Sequence, residues 1–452
     1  MEDVRIAGNA WSGWDGDLGE DSSNRGDLVF RRVTVEWNGC LEQQDGTYDH
    51  CWAQSAGGYG DGLGTAATGG HWVFEDSIFR YNTSDGLDLL YLGRTPDPAE
   101  AEVRDSLFYG NAGNQVKVGS RATLVNLVVV GNCGYFFRQG FPLMGPRDSG
   151  DHCRAMGNPV ALSLQQGDQA AVINSTVFGE GDVLVEMPCD TAFSTCDGTE
   201  SVVLQNNIFV GTTDFLQPFE NSALFWDPDG FGQEDYNIVY NVKDLDPASL
   251  GPHDIVQDPQ FMQADLDNFD GHLQPSSPAI DSGLPVGIGQ VPDHDVEGIP
   301  RPQGQGVDRG AYEWTATPPR YTLTVQKAGT GTGTVTSDPP GIDCGADCSE
   351  TYTSGTLVIL TATPDADSAF AGWGGDADCA DGQVVMDADK TCTATFNALG
   401  GGGQLSPVFR FNTGVVHFYT ISEAERDYVL QHFVPPWVYE GVAFYAYKPG
   451  NP

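Results

Sequence analysis

Positive charge is scarce in this sequence. Lys and Arg number 21 against 63 Asp and Glu, a formal net charge of −42 over 452 residues. That balance excludes nucleic acid and an anionic membrane surface as partners, because both select a basic face. It also repels an anionic polymer, so a bridging cation or a local cluster of Lys117, Arg121 and Arg138 would have to overcome the average field. Most of the acidity reads as solvated surface. No run of about 18 apolar residues occurs, which excludes a membrane-spanning helix. The opening MEDVRIAGNAWSGWDG has neither the basic start nor the apolar core of a signal peptide, and its VRIAG already reads as strand. The expectation is that a leader, and with it some of the fold, precedes the chain as given.

What the sequence does have is a repeat. FEDSIFRYN (Phe74 to Asn82), VRDSLFYGN (Val103 to Asn111) and LVNLVVVGN (Leu124 to Asn132) align without a gap. Each is a short apolar-alternating strand ending in Asn. FRRVTVEWN (Phe30 to Asn38), VINSTVFGE (Val172 to Glu180) and LQNNIFVGT (Leu204 to Thr212) fit the template more loosely. Asn spacings of 29 and 21 residues, with longer loops elsewhere, predict an all-β, right-handed parallel β-helix over residues 1–314. One coil cannot bury its apolar side chains alone; a stack can.

Counting from each terminal Asn points to chemistry. Six positions on lie Asp88, Lys117 and Arg138, and three positions on lie Asp85, Asn114 and Tyr135. In a parallel stack, equivalent positions lie one above another at about 4.8 Å. An acid, an amine and a guanidinium are therefore expected to line up on one face. GDGLG (Gly60 to Gly64) repeats the Asp-Gly-Leu of SDGLD (Ser84 to Asp88) one coil earlier, which stacks Asp61 under Asp85. Three converging carboxylates, Asp61, Asp85 and Asp88, are unfavourable unless a cation neutralises them, and hard oxygen ligands suit Ca²⁺. The competing reading is structural, since Asp-Gly pairs are ordinary turn residues and corner Asn and Asp side chains can serve only to hold turns.

These same stretches, with GNQVKVG (Gly113 to Gly119) and NLVVVGNCGYFF, resemble the pectate lyases of polysaccharide lyase family 9. The resemblance implies Asp61, Asp85 and Asp88 as Ca²⁺ ligands and Lys117 as the base of a β-elimination on a uronate polymer. Ser84 stands where the family pattern has a further Asp, and GNQVKVG lacks the Gly and Phe that usually precede the Lys. In such a reaction Ca²⁺ acidifies the carbon α to a uronate carboxylate, while the lysine takes the proton and needs a lowered pKa to do so. Arg138 is expected either to depress that pKa or to hold a substrate carboxylate, with Arg121, Asn114 and Tyr135 as candidate substrate contacts. NTSDGLDLL also resembles a polygalacturonase segment, but the later motifs of that hydrolase family are missing. A non-catalytic surface or adhesin-type β-helix with structural Ca²⁺ is the alternative from another class.

Ten cysteines fall in sequence-near pairs, Cys40/Cys51, Cys133/Cys153, Cys189/Cys196, Cys344/Cys348 and Cys379/Cys392, which read as disulfide staples formed in an oxidising, extracellular compartment. The Cys133/Cys153 pair would close a loop through Phe141, Pro142, Met144, Arg147 and His152 beside the cleft. HLQPSSPAIDSG and DHDVEGIPRPQGQGVDRGAYEW resemble the closing segment of secreted bacterial β-helices, so His272, Asp281, Arg301 and Asp308 read as structural. A Pro-containing linker (315–320) leads to a small all-β repeat module (321–396), and a Gly-rich linker (397–407) to a small aromatic-rich α+β module (408–452). In that last module Ser422 and Glu425 have the spacing of a helix capping box. The partners expected are an acidic polysaccharide at the helix and cell-wall or other glycan contact through the C-terminal modules, on a monomeric chain.

Overall fold

The computed structural model describes all residues except 10, 17–23, 44–46, 50, 53–59, 142, 145–156, 213–222, 244, 246–247, 249, 316–319, 346, 399–404, 413–416, 421, 433–437 and 448–452. The chain divides into two compact units. One comprises Met1–Gln326, Val335–Thr361 and Gly372–Ala394, and the other Lys327–Thr334, Ala362–Ala371 and Thr395–Pro452.

The first unit is built on a right-handed parallel β-helix with three ladders. The first ladder runs through Gly70–Glu75, Ala99–Arg104, Arg121–Val125, Gln169–Ile173, Ser201–Gln205 and Gly232–Asp235, and the second through Ile78–Arg80, Leu107–Tyr109, Val128–Gly131, Thr176–Gly179, Ile208–Gly211 and Ile238–Tyr240. The long strand Asp27–Glu36 feeds both, pairing with His71–Glu75 through its first half and with Ile78–Arg80 through its second, and Glu2–Ala7 pairs parallel with it as an earlier coil. The third ladder stacks Trp14–Asp15, Leu63–Gly64, Leu87–Leu89, Val116–Val118, Val160–Leu162, Val183–Glu186 and Ala223–Trp226, all parallel.

The nonapeptide repeat is the bend between the first two ladders. Its third residue, Arg32, Asp76, Asp105, Asn126, Asn174 or Asn206, is left-handed in every coil, with φ between 46° and 57°. Asn and Asp tolerate that conformation better than other side chains, which explains their recurrence there. Two further coils lie outside the repeats recognised in the sequence, Glu2–Ala7 with Asp3 at φ 53° and Gly232–Tyr240 with Tyr236 at φ 61°. Inside, Phe30, Phe74, Phe79, Phe108 and Phe209 stack in a continuous apolar column with Leu87, Val116 and Val160.

The Asn that ends each repeat marks the bend into the third ladder. Asn38 Nδ2 donates to Asn82 Oδ1 (2.8 Å) and Asn82 Nδ2 to Asn111 Oδ1 (2.8 Å). The next rung is not Asn132. Asn111 donates from both its backbone N and its Nδ2 to Gln115 Oε1 (3.1 and 2.9 Å), so Gln115 closes the ladder. Gln115 is one of the departures from the lyase pattern around Lys117, and this gives it a structural reason. Asn111→Ala leaves the buried Asn82 backbone N–H without its acceptor and its Nδ2 with Val35 O alone, so unfolding in denaturant is expected to show a loss of about 1–3 kcal/mol.

The closing segment docks on the left-handed bends. Asn126 Nδ2 donates to His294 O, Asn174 Nδ2 to Asp308 O and Asn206 Nδ2 to Leu284 O, while Arg301 is buried against Glu313 at 2.9 Å. His272 lies between Asp270 and Glu297, and Asp308 accepts the Asp281 backbone N–H, so all four residues read as structural do structural work. Beside the last coil, Glu234 shares its surroundings with Asp227 and Asp254. One of its buried oxygens has no hydrogen-bond partner among the described residues. Burial, reinforced by those two charges, pushes its pKa up to about 8. A raised acid pKa means the folded chain holds the proton that the unfolded chain has released, so this contribution to stability falls as pH rises from about 4.5 to 8. Glu234→Gln should therefore raise the melting temperature at pH 8 more than at pH 5.

Four disulfides join Cys40 to Cys51, Cys189 to Cys196, Cys344 to Cys348 and Cys379 to Cys392. Cys133 is also disulfide-bonded. Cys153, with Pro142, Arg147 and His152, lies outside the described residues. Within the first unit, Arg80 bridges Glu36 (2.6 Å) and Asp381 (3.1 Å), tying the coils to the loop before Gln383–Val385. In the second unit, Leu405–Asn412 pairs antiparallel with His417–Thr420 and Val438–Tyr447, alongside the helix Glu423–His432. Ser422 Oγ accepts the Glu425 N–H (3.2 Å), but the Glu425 carboxylate accepts from the Thr420 hydroxyl (2.6 Å). The cap thus uses Thr420 where the sequence pattern predicted a reciprocal bond to Ser422. No helix among the described residues is long and apolar enough to cross a membrane.

Candidate functional site

The third ladder carries the titratable cluster, because alternation there points Leu87, Leu89, Val116 and Val118 inward and leaves Asp88 and Lys117 outside. Asp88 and Lys117 occupy adjacent rungs in direct register. The corner before them is a second side-chain ladder. Asp85 N donates to Asp61 Oδ1 (3.0 Å), Asn114 N to Asp85 Oδ1 (2.7 Å), and Asn158 N to Asn114 Oδ1 (2.9 Å). Each acid thus commits one oxygen to the backbone. The other oxygen of Asp85 accepts from Lys117 Nζ at 3.0 Å, and Asp88 Oδ2 does so at 3.2 Å.

Asp61, Asp85 and Asp88 each offer a carboxylate oxygen within 4.8 Å of the others. Asp61 and Asp85 are buried, while Asp88 and Lys117 keep about a seventh of their side chains exposed, at 15% each. Burial pushes Asp88 up to about 7; Lys117 opposes the rise, and the charges of Asp85 and Asp61 add to it. Three acids share one ammonium, an excess of negative charge held by hard oxygen donors. That donor set fits a divalent cation such as Ca²⁺.

Of the other sequence-predicted residues, Asn114 joins this cluster through Asp85, while Arg138, Tyr135 and Arg121 do not. The rung after Lys117 is Ala161, not Arg138. Arg138 ends the short helix Tyr135–Arg138 and bonds Glu180 (2.6 Å) and Asp267 (3.4 Å). The expected column is corrected for a physical reason. The nonapeptides do stay in register, Leu107 opposite Val128, but after Asn132 the chain leaves the coil and returns only at Asn158, 44 residues beyond Asn114. Tyr135 is displaced with it, and its ring stacks on Tyr81 (4.4 Å) in an aromatic cluster with Trp37, Phe136 and Phe141. Asn114 is buried, and its side chain donates to Asp85 Oδ1 and accepts the Asn158 N–H. Arg121 is exposed at the start of a first-ladder strand, opposite Glu100.

Two residues on the site's own ladder escaped the sequence reading. Continuing from Lys117 and Ala161, the outward column runs to Glu186 and Trp226. Burial pushes Glu186 up to about 7, against the pull of Lys117 and of the Asn158 amide that bonds it. The signal was the alternating VLVE segment after the loop, which carries no terminal Asn from which to count.

The fold and this face define a parallel β-helix with an acid and lysine cluster on one ladder. A family model described as a divergent InlB B-repeat domain matches residues 321–400, and one described as a domain of unknown function (DUF5648) matches residues 391–451. No curated protein shows significant similarity to the chain. Among solved structures, the crystal structure of pectate lyase Pel9A is similar over 69% of this chain and 64% of that one, with 14% identity and a TM-score of 0.36. The chain therefore spans less than two thirds of that enzyme's length.

Proposed function

We propose that the protein is a secreted polysaccharide lyase that cleaves a uronate-containing polysaccharide by β-elimination, with Lys117 as base. The observation that carries this reading is the placement of Lys117 Nζ on the outer face of the third ladder, bonded to Asp85 and Asp88 beside Asp61. Asp61, Asp85 and Asp88 would hold Ca²⁺, which when bound supplies the Lewis acidity that eases loss of the proton α to a uronate carboxylate. Lys117 takes that proton. Asp85 and Asp88 favour its ammonium form, so it is basic only when those carboxylates are otherwise engaged. Asn114 fixes Asp85 through two bonds, and the paired rungs keep Lys117 and Asp88 on the same side of the sheet.

Hydrolysis is less well supported. The sequence holds none of the later motifs of the polygalacturonases that its NTSDGLDLL segment resembles. The described disulfides support an oxidising, extracellular location. The test is incubation with a panel of uronans, with Ca²⁺ or with chelator, following ultraviolet absorbance of the unsaturated product. Calcium-dependent growth supports the lyase. No growth on any uronan, with Ca²⁺ still bound, supports a surface protein in which the acids, which also serve the corner ladder, hold a structural ion. Ser84 is fully buried beside Asp85, and Ser84→Asp restores a fourth carboxylate. Calorimetric titration should then show Ca²⁺ affinity rising by about tenfold or more, as ligand charge tunes such sites.

A further inference from the structure

The outward column of the third ladder extends well beyond the acid and lysine cluster. From Lys117 it runs through Ala161 and Glu186 to Trp226, each pair in direct parallel register. Trp226 is 44% exposed, whereas its neighbour Phe225 turns inward against Phe209 at 5.6 Å. Strand pairing therefore holds the indole outward on the same face as Lys117, about 14 Å away at the usual rung spacing. An extended pyranose chain lying along the ladder advances by roughly one sugar per rung. A chain placed over Lys117 and continued along the ladder would thus pass Glu186 and reach Trp226.

The chemistry of these rungs differs from that at Lys117. Ala161 is 2% exposed and has no polar group, so it separates the Lys117 and Glu186 rungs without adding charge or a contact of its own. Glu186 is fixed by the Asn158 amide; its carboxyl oxygens accept hydroxyl donors, and where ionised it disfavours a carboxylate on the sugar above it. An indole stacks best on a sugar face of C–H bonds. Of the described column, Asp15, Gly64, Asp88, Lys117, Ala161, Glu186 and Trp226, Lys117 alone is basic. Beyond the cluster that would hold Ca²⁺, a polymer with a carboxylate on every ring would meet Glu186 and no cation on this column.

We infer that the rungs at Glu186 and Trp226 form a subsite for neutral sugar, so that the preferred substrate interrupts its uronates with uncharged pyranose rings. This rests on the lyase reading for the direction of the polymer along the face, and binding and turnover separate the two. The probes are an oligosaccharide alternating uronate with a neutral hexose, and a uronate homo-oligomer of the same length. Affinity of the full chain for each is measured by calorimetry, and product absorbance is followed in parallel.

The expected result is at least tenfold tighter binding of the alternating probe. Trp226→Ala should erase most of that margin and Trp226→Phe should retain part of it. Glu186→Gln should strengthen homo-oligomer binding several-fold. Equal or tighter binding of the homo-oligomer by the unaltered protein overturns the inference, as does binding of neither probe, or a preference that Trp226→Ala leaves untouched. If the preference holds without unsaturated product, the subsite stands and the lyase reading falls. If product forms only from the homo-oligomer, the lyase stands and the subsite falls.

Discussion

Replacing Lys117 with Ala is expected to lower formation of unsaturated product about 10²- to 10⁴-fold, the usual contribution of a positioned general base. The same substitution should strengthen Ca²⁺ binding. In the protein the Lys117 ammonium occupies Asp85 Oδ2 and Asp88 Oδ2 at 3.0 and 3.2 Å, and a divalent cation must compete with it for those oxygens. Opposite movements of activity and affinity distinguish a base from a residue that merely supports the fold. A variant that keeps full activity would remove Lys117 from the chemistry.

Asp85→Ala is expected to have the largest effect on stability. Asp85 is fully buried, and one carboxylate serves Lys117 Nζ, Asn114 N and Asn114 Nδ2. Breaking a buried pair by deleting one member costs about 3–5 kcal/mol; here the lower end, about 3 kcal/mol, is expected because Lys117 keeps some contact with solvent. Denaturant unfolding measures the loss, and calorimetry should show Ca²⁺ binding weakened at least tenfold. Asp85→Asn keeps an acceptor for the Asn114 N–H. It should therefore recover most of the stability and little of the ion affinity, which separates the corner-ladder role of Asp85 from its charge.

The acid and lysine cluster was legible because most of its members follow directly on the Asn bends and the remaining one shares a local motif. Asp85, Asp88, Asn114 and Lys117 lie three or six residues after Asn82 and Asn111, so counting lands on the correct rung, while Asp61 is placed by the repeated Asp-Gly-Leu. Counting fails once the chain leaves the coil after Asn132. Local pattern cannot tell whether the residues that follow continue the ladder or form a helix, and here Tyr135–Arg138 turns aside to meet Glu180 and Asp267. Gln115, which looked like a mismatch to a lyase motif, is the group that ends the Asn ladder.

By itself the sequence determined the coil and the inner and outer faces of its strands. Alternation has a period of two, and left-handed bends select Asn and Asp, so both are written in neighbouring residues. Tertiary structure alone decided which coil follows which across the long insertion, and with it the company Lys117 keeps. Ala161, Glu186 and Trp226 reach its column through pairing between strands far apart in the chain. Rung identity depends on where a loop returns, and that is set by hydrogen bonds such as Asn158 N to Asn114 Oδ1, which no local sequence pattern encodes.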